Sequence, residues 1–311
     1  MKFFKSKLII GILLVATLLL IAIAILYKPD VEVSELKAKY ANRNSKFVEI
    51  DGLQVHYRIE GEGEPLVLIH GTGSMLQTWD EWATILSPHF KIIRMDIPAF
   101  GLTGPRADGN YSDSMYVQFI EQFTTKIGLD SFYLAGNSLG GLIAWKYAAS
   151  YPAKVKKLVL IDPAGFHTTD IKGGSFIFKM ASKYPTVTAG ISKIGTHLLV
   201  SKTLHEVFYD DAKITDQKKT MYAELNQRAG NRLAFVKRAQ FIHPSNEKEL
   251  MPITSPTLIL WGKEDVLIDE AESVHFKKIS NSTLITYEKV GHMPQEEIPE
   301  KSAIDAMRFL K

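Results

Sequence analysis

The chain has no cysteine among its 311 residues. That absence excludes disulfides, a thiol nucleophile and a lipidated amino-terminal cysteine, and it selects no redox compartment. The nine histidines show no H-x-x-x-H spacing, so a zinc site has no support, and no metal or other cofactor is expected. Charge of one sign is not in excess. Lys and Arg number 37 against 34 Asp and Glu, a net charge of +3, and no dense basic run interleaves with aromatics. Nucleic acid is therefore not an expected partner. No internal repeat and no low-complexity segment interrupts the chain.

What the sequence does have is one long hydrophobic run at its start. Residues 8 to 27 carry no charge, and Thr17 is the only clearly polar side chain among them. Twenty such residues form a helix of about 30 Å, the thickness of a bilayer core. A cleaved signal peptide has a shorter apolar region ending at a small-residue site. Here Ala22 and Ala24 lie inside the run, so an uncleaved single-pass anchor over residues 1–27 is the expectation. Lys2, Lys5 and Lys7 precede the run, which points to a cytoplasmic amino terminus and an extracytoplasmic catalytic domain. Lys28, Lys37, Lys39, Arg43 and Lys46 follow it, so the count is not one-sided. Residues 28–45 are charged, lack an apolar period, and read as a juxtamembrane spacer, with room for a short helix.

From residue 46 the rhythm changes. Residues 47–50 and 53–59 flank Asp51-Gly52 and read as a hairpin. Short apolar runs then recur at 66–69, 91–95, 131–135, 157–161, 257–261 and 283–287. Such runs suit strands buried on both faces. Helix-length segments lie between them at 76–86, 112–127, 139–150, 269–279 and 299–310. This alternation predicts an α/β fold: a mostly parallel sheet with helices on both faces and an antiparallel opening edge. About 90 residues separate the strand ending near Asp162 from the one starting near Thr257. They hold helical patterns at 176–183, 191–200, 218–227 and 233–241, separated by Pro185, Gly190 and Asn231. A structureless loop of that length is improbable, so a helical cap at about 166–250 is expected within a domain spanning 46–311.

Gly136-Asn137-Ser138-Leu139-Gly140 fits G-x-S-x-G, with an apolar strand before it and a helical segment after it. A nucleophilic serine must sit on a tight strand-to-helix turn, where side chains at the two glycine positions would collide. Ser138 is the candidate nucleophile. His292, in the loop after the last strand, is the candidate base, since loops at the carboxyl ends of parallel strands share one rim. Asp265, after the preceding strand, is the candidate acid that orients the imidazole. Glu264, Asp269 and Asp162 stay open for that role. The oxyanion needs two N–H donors. Leu139 supplies one, and Thr72 in His70-Gly71-Thr72-Gly73 the other, with Gly73 second. His70 has a structural part; His56 and His89 receive none.

These segments, with Asp96-Ile97-Pro98-Ala99-Phe100-Gly101, resemble the α/β-hydrolase superfamily over about residues 47 to 311. The surroundings of Asp96, Ser138 and Asp162-Pro163-Ala164-Gly165 look like its carboxylesterase/lipase and carbon–carbon bond hydrolase branch. The resemblance implies the eight-stranded sheet, the triad, the lid and a structural or site-shaping Asp96. Met293 stands where ring-cleavage-product hydrolases of the branch usually have tryptophan, and Asp269 where many relatives have proline. Serine at 138 argues against the aspartate-dependent haloalkane dehalogenases and epoxide hydrolases.

The expected activity is hydrolysis of a small-molecule ester with an apolar acyl or lipid-like group, through an acyl-enzyme. Phe176, Ile177, Phe178, Met180, Leu198, Leu199 and Val200 of the cap suggest the pocket, and the anchor suggests membrane lipid as its surroundings. Carbon–carbon bond hydrolysis, cofactor-free peroxidase or perhydrolase chemistry, and a non-catalytic scaffold are the alternatives.

Overall fold

The computed structural model describes residues 2–166, 176–241 and 245–311. Eight strands form one sheet: β1 Ser45–Ile50, β2 Leu53–Glu60, β3 Pro65–Ile69, β4 Lys91–Met95, β5 Phe132–Asn137, β6 Val155–Ile161, β7 Thr257–Gly262 and β8 Ser282–Tyr287. Their spatial order is β1-β2-β4-β3-β5-β6-β7-β8. β1/β2 and β2/β4 are antiparallel, and every later pair is parallel. The expected sheet and antiparallel edge are both present.

The continuous apolar runs arise because each strand feeds two cores. On β3, Val67 and Ile69 join the core on one face, while Leu66 and Leu68 join the other. β7 repeats this, with Ile259 and Trp261 on the first face and Leu258 and Leu260 on the second. Side chains alternate across a strand, so burial on both sides leaves no polar position in the run.

The helices in chain order are α1 Lys2–Leu26, α2 Val33–Tyr40, α3 Asp80–Leu86, α4 Asp113–Lys126, α5 Leu139–Ser150, α6 Phe176–Lys183, α7 Pro185–Ile191, α8 Thr196–Val207, α9 Asp216–Asn226, α10 Asn231–Arg238, α11 Ser273–Phe276, α12 Pro294–Glu297 and α13 Pro299–Leu310. α6 to α10 form the layer above the carboxyl ends of β5 to β7. One expected helix is broken differently. The pattern at 191–200 straddles a turn at 192–195 and divides between α7 and α8. Pro185 begins α7 rather than ending a helix, because proline at the first position needs no N–H partner. Gly195 precedes α8 with φ +67°, a conformation glycine adopts without strain. The expected helix at 269–279 shortens to a 3-10 turn and the four-residue α11.

α1 holds an 18-residue apolar stretch, Ile9–Leu26, long enough to cross a membrane and wholly exposed on the protein. The segment after it is bound to the layer above the sheet. Lys28 donates to the Lys193 carbonyl at 2.7 Å, and Gly195 donates to the Leu26 carbonyl at 2.9 Å. The Arg232 guanidinium bonds the Asp30 carboxylate at 2.5 Å, the Lys28 carbonyl at 2.9 Å and Thr196 Oγ1 at 2.9 Å. α2 follows, and its Leu36 is buried against Met75, Leu204, Val207 and Met293. The charged segment thus contributes a core residue although it has no apolar period. A single buried leucine leaves no periodic signal. Leu36→Ala is expected to cost about 2–4 kcal/mol, read as a lower denaturant midpoint with an unchanged slope.

Candidate active site

β5 ends in Asn137, and α5 begins at Leu139, so Ser138 occupies the turn between them with φ +56° and ψ −117°. That is a strained conformation for a residue with a side chain. Three backbone bonds hold it: the Ser138 N–H donates to the Ile161 carbonyl at 3.0 Å, and its carbonyl accepts from Leu142 at 2.9 Å and Ala164 at 3.1 Å. A Cβ at Gly136 would stand 2.1 Å from the Gly140 oxygen, and one at Gly140 2.1 Å from the Ile69 oxygen. The β3 loop lies directly over the serine, since a Cβ at Gly71 would come 3.1 Å from Ser138 Cβ. Gly141 gives close approach to Pro163 after β6, where a Cβ would meet its Cα at 2.8 Å.

His292 is buried in the loop between β8 and α12. Its N–H donates to the Val207 carbonyl at 2.8 Å, and its carbonyl accepts from Asn137 Nδ2 at 3.1 Å. Asn137, beside the serine, therefore braces the histidine loop. His292 Nδ1 lies 2.6 Å from Asp265 Oδ2. With the Nδ1 proton on that bond, Nε2 is the free acceptor of the ring. The other Asp265 oxygen accepts from the Leu267 and Ile268 amides at 2.7 and 3.0 Å.

The other acid candidates are engaged elsewhere. Glu264 accepts from the Val290 amide at 3.0 Å, and Asp269 caps the turn at Ala271 at 2.9 Å. Asp162 is fully buried; its Oδ1 accepts from the Gly262 amide at 3.0 Å. Burial and the neighbouring Asp265 charge push its carboxyl well above the usual range. One potential ligand atom each from Asp162, Asp265 and His292 lie within 4.8 Å of one another. A cation there would have to displace the Asp265–His292 hydrogen bond.

His70 is not available as a base. Its Nδ1 donates to the Gly71 carbonyl at 2.8 Å, its Nε2 accepts from the Ile97 amide at 3.1 Å, and burial pushes its pKa down. It fixes the β3 loop against the β4 loop. His56, given no role from sequence, pairs with Asp96 at 2.8 Å. Asp96 also accepts from the Leu76 and Leu102 amides, each at 2.8 Å. Burial acts to raise the Asp96 pKa, but the His56 hydrogen bond and charge hold it below the usual value. Forty residues separate the pair, and no motif links them. Glu297 is a further unsignalled residue: its carboxylate accepts from the Tyr209, Asp210 and Gly291 amides, tying the end of α8 to the histidine loop.

Ser138 and His292 line one cavity of about 260 Å³, with Thr72, Gly73 and Leu139 at the same end. Leu139 opens α5, so its amide has no partner within the helix. Of the apolar residues expected in the pocket, Ile177, Phe178, Leu199 and Val200 line it. Leu198 is 63% exposed and points outward, and Met180 is not part of the lining. The side chain of Phe176 lies outside the described residues.

Residues 64–299 match the family model described as alpha/beta hydrolase fold, and the chain belongs to that family. Its relatives include both lipases and carbon–carbon bond hydrolases. It is 30% identical to Lipase 1 of Psychrobacter immobilis, over 79% of this chain and 77% of that protein. It is 26% identical to 2-hydroxy-6-oxo-2,4-heptadienoate hydrolase of Pseudomonas putida, over 81% and 91%. Among solved structures it is similar to a membrane phospholipase A described as a bacterial virulence factor, with TM-score 0.75, 27% identity and coverage of 100% and 98%. To that family's domain this chain adds an apolar amino-terminal helix.

Proposed function

We propose that this hydrolase is a membrane-tethered serine esterase that cleaves apolar, lipid-like carboxylic esters through an acyl-enzyme. The observation that carries the reading is the buried Asp265–His292 hydrogen bond, whose histidine lines the same apolar cavity as Ser138. His292 Nε2 takes the Ser138 hydroxyl proton as Oγ attacks the carbonyl. The Leu139 and Thr72 amides face the oxyanion, and Asp265 balances the imidazolium. The proton passes to the departing alcohol. Water then attacks the acyl-serine by the same route and frees the acid. Carbon–carbon bond hydrolysis is the second reading, favoured by the similarity to the Pseudomonas putida enzyme.

Residues 1–27 act as the anchor, 28–45 as a juxtamembrane segment, and 46–311 as the hydrolase domain with its cap at about 166–250. The anchor's end is bound to the turn between α7 and α8, and Tyr184 before α7 and Val187, Ile191 and Leu198 of those helices are exposed. This supports a cap resting on the bilayer, where a lipid ester is close at hand. The basic tip supports an extracytoplasmic catalytic domain. The cysteine-free chain gives a clean background for testing this: Glu62→Cys, on an exposed loop, is expected to react with a membrane-impermeant maleimide in intact cells. Protection until lysis would reverse the orientation.

A fluorophosphonate probe tests the enzyme reading. Wild-type protein is expected to be labelled, and nitrophenyl acyl esters to be turned over while a dienol-type diketone is not. Failure to label, with a known serine hydrolase labelled alongside, would sink it. Turnover of the diketone alone would transfer the assignment to the second reading.

A further inference from the structure

Two buried carboxyl groups, Asp162 and Asp265, stand beside His292, and the proposed mechanism uses one. Asp162 stands at the end of β6 with φ +43°, a strained backbone for a residue with a side chain. Its N–H donates to the Leu260 carbonyl at 3.0 Å, and its Oδ1 accepts from the Gly262 amide at 3.0 Å. Its Oδ2 is buried with no donor facing it, and the Asp265 carboxylate stands within hydrogen-bond reach of the Asp162 carboxyl. A ligand atom of Asp162 lies within 4.8 Å of those of Asp265 and His292. The loop after β6 thus keeps a costly polar group beside the proposed triad, in a strained conformation.

Two carboxylates that close in a buried site do not both ionise. The donors decide which one takes the charge. Asp265 has three: His292 Nδ1 and the amides of Leu267 and Ile268. Asp162 has one. The other groups facing Asp162 are Glu297 from α12 and Tyr287 at the end of β8. Neither offers it positive charge. Burial and Asp265 both favour its protonated form.

We propose that Asp162 is a positioning residue of the triad: a neutral carboxylic acid, held by the Gly262 amide beside Asp265, that keeps the negative charge of the site on Asp265 alone. The inference rests on the triad assignment of the preceding subsection. Its consequence concerns His292. A second negative charge at this distance would favour the imidazolium and lower the share of neutral imidazole that can act as base for Ser138. One charge stabilises the imidazolium when it forms in the reaction, without holding it there beforehand. When Asp265 loses its charge by mutation, Asp162 is the carboxyl left to ionise.

Asp162→Asn separates this from a purely structural role, because the amide keeps a donor and an acceptor and can never carry charge. In an infrared difference spectrum at neutral pH, wild type minus Asp162→Asn is expected to show the carbonyl stretch of a protonated carboxyl group. A carboxylate band instead overturns the proposal. Asp162→Ser, which leaves a smaller donor, provides the same subtraction if the amide is not accommodated. In kinetics, Asp162→Asn is expected to leave the acid limb of kcat/KM in place. A downward shift of that limb by about one unit would mean that Asp162 is charged in the wild type. Asp162→Asn/Asp265→Asn is expected to fall at least about tenfold below Asp265→Asn, and equality of the two overturns the stand-in role.

Stability gives another readout. Above the ordinary value of 3.8, the folded protein keeps a proton that the unfolded chain releases. Rising pH therefore costs the wild type stability that Asp162→Asn does not lose. If no ester is hydrolysed at all, the triad assignment fails, while the infrared spectrum still decides the state of Asp162.

Discussion

Ser138→Ala is expected to lower kcat on a nitrophenyl ester by about a millionfold, with KM little changed and the thermal transition retained. The size follows from the site. Ser138 Oγ is the only part of that residue the change removes, and the turn is held by backbone bonds to Ile161, Leu142 and Ala164 that alanine also makes. KM stays because the cavity wall of Ile177, Phe178, Leu199 and Val200 is untouched. His292→Ala is expected to cost nearly as much, and the double variant no more than the worse single one, since base and nucleophile act in one step. A residual rate over water would report the proposed oxyanion donors, the Leu139 and Thr72 amides, which neither change removes. A Ser138→Ala protein with more than about a tenth of wild-type activity would exclude serine as nucleophile. Asp265→Asn should fall less far. The asparagine still accepts from Leu267 and Ile268, but it no longer balances the imidazolium.

The sheet was legible because its physics is local. A strand between two cores has nowhere to put a polar side chain, so β3, β6 and β7 stand out from sequence alone. The rim followed from the sheet, since loops at the carboxyl ends of parallel strands converge. That was enough to bring Asp265 and His292 together. What stayed hidden depends on contacts between distant segments. Strand order names Asp265 and leaves Asp162 open as the partner of His292; the 2.6 Å bond to Nδ1 and the amides of Leu267 and Ile268 single out Asp265, and their direction is a matter of backbone geometry. His56 looked idle because its partner, Asp96, is forty residues away. The break between α7 and α8 falls at 192–195 rather than at Gly190, and Pro185 opens a helix rather than closing one. Proline at a helix start and glycine in an exposed helix are both tolerated. Residues 28–45 read as a spacer with room for a short helix because backbone bonds, the Asp30–Arg232 pair and the lone buried Leu36 hold them in place without an apolar period.

Gly140→Ala is expected to prevent stable folding, or to cost more than about 4 kcal/mol, beyond the usual range for a point change. One methyl group is enough because of what it would meet. The added carbon would stand 2.1 Å from the Ile69 oxygen, 2.6 Å from its carbon and 2.7 Å from the His70 oxygen. These are backbone atoms at the end of a central strand, so no rotamer change can clear them. Gly136 faces the same turn from the other side, 2.1 Å from the Gly140 oxygen, and gives the neighbourhood no slack. To admit the methyl group, α5 must move away from β3, which would also take Leu139 and Ser138 out of register with the Gly71 loop. Activity and stability should therefore fall together, unlike in Ser138→Ala. Gly190→Ala is the control. It is a helical glycine in α7 with no atom within 4 Å of the added carbon, and it should gain about 0.5–1 kcal/mol from helix propensity. Chemical denaturation of the two variants beside wild type checks both signs. A Gly140→Ala protein within about 1 kcal/mol of wild type would mean that the strand-to-helix turn is not as tight as its geometry requires. The strained serine would then have lost its structural cause.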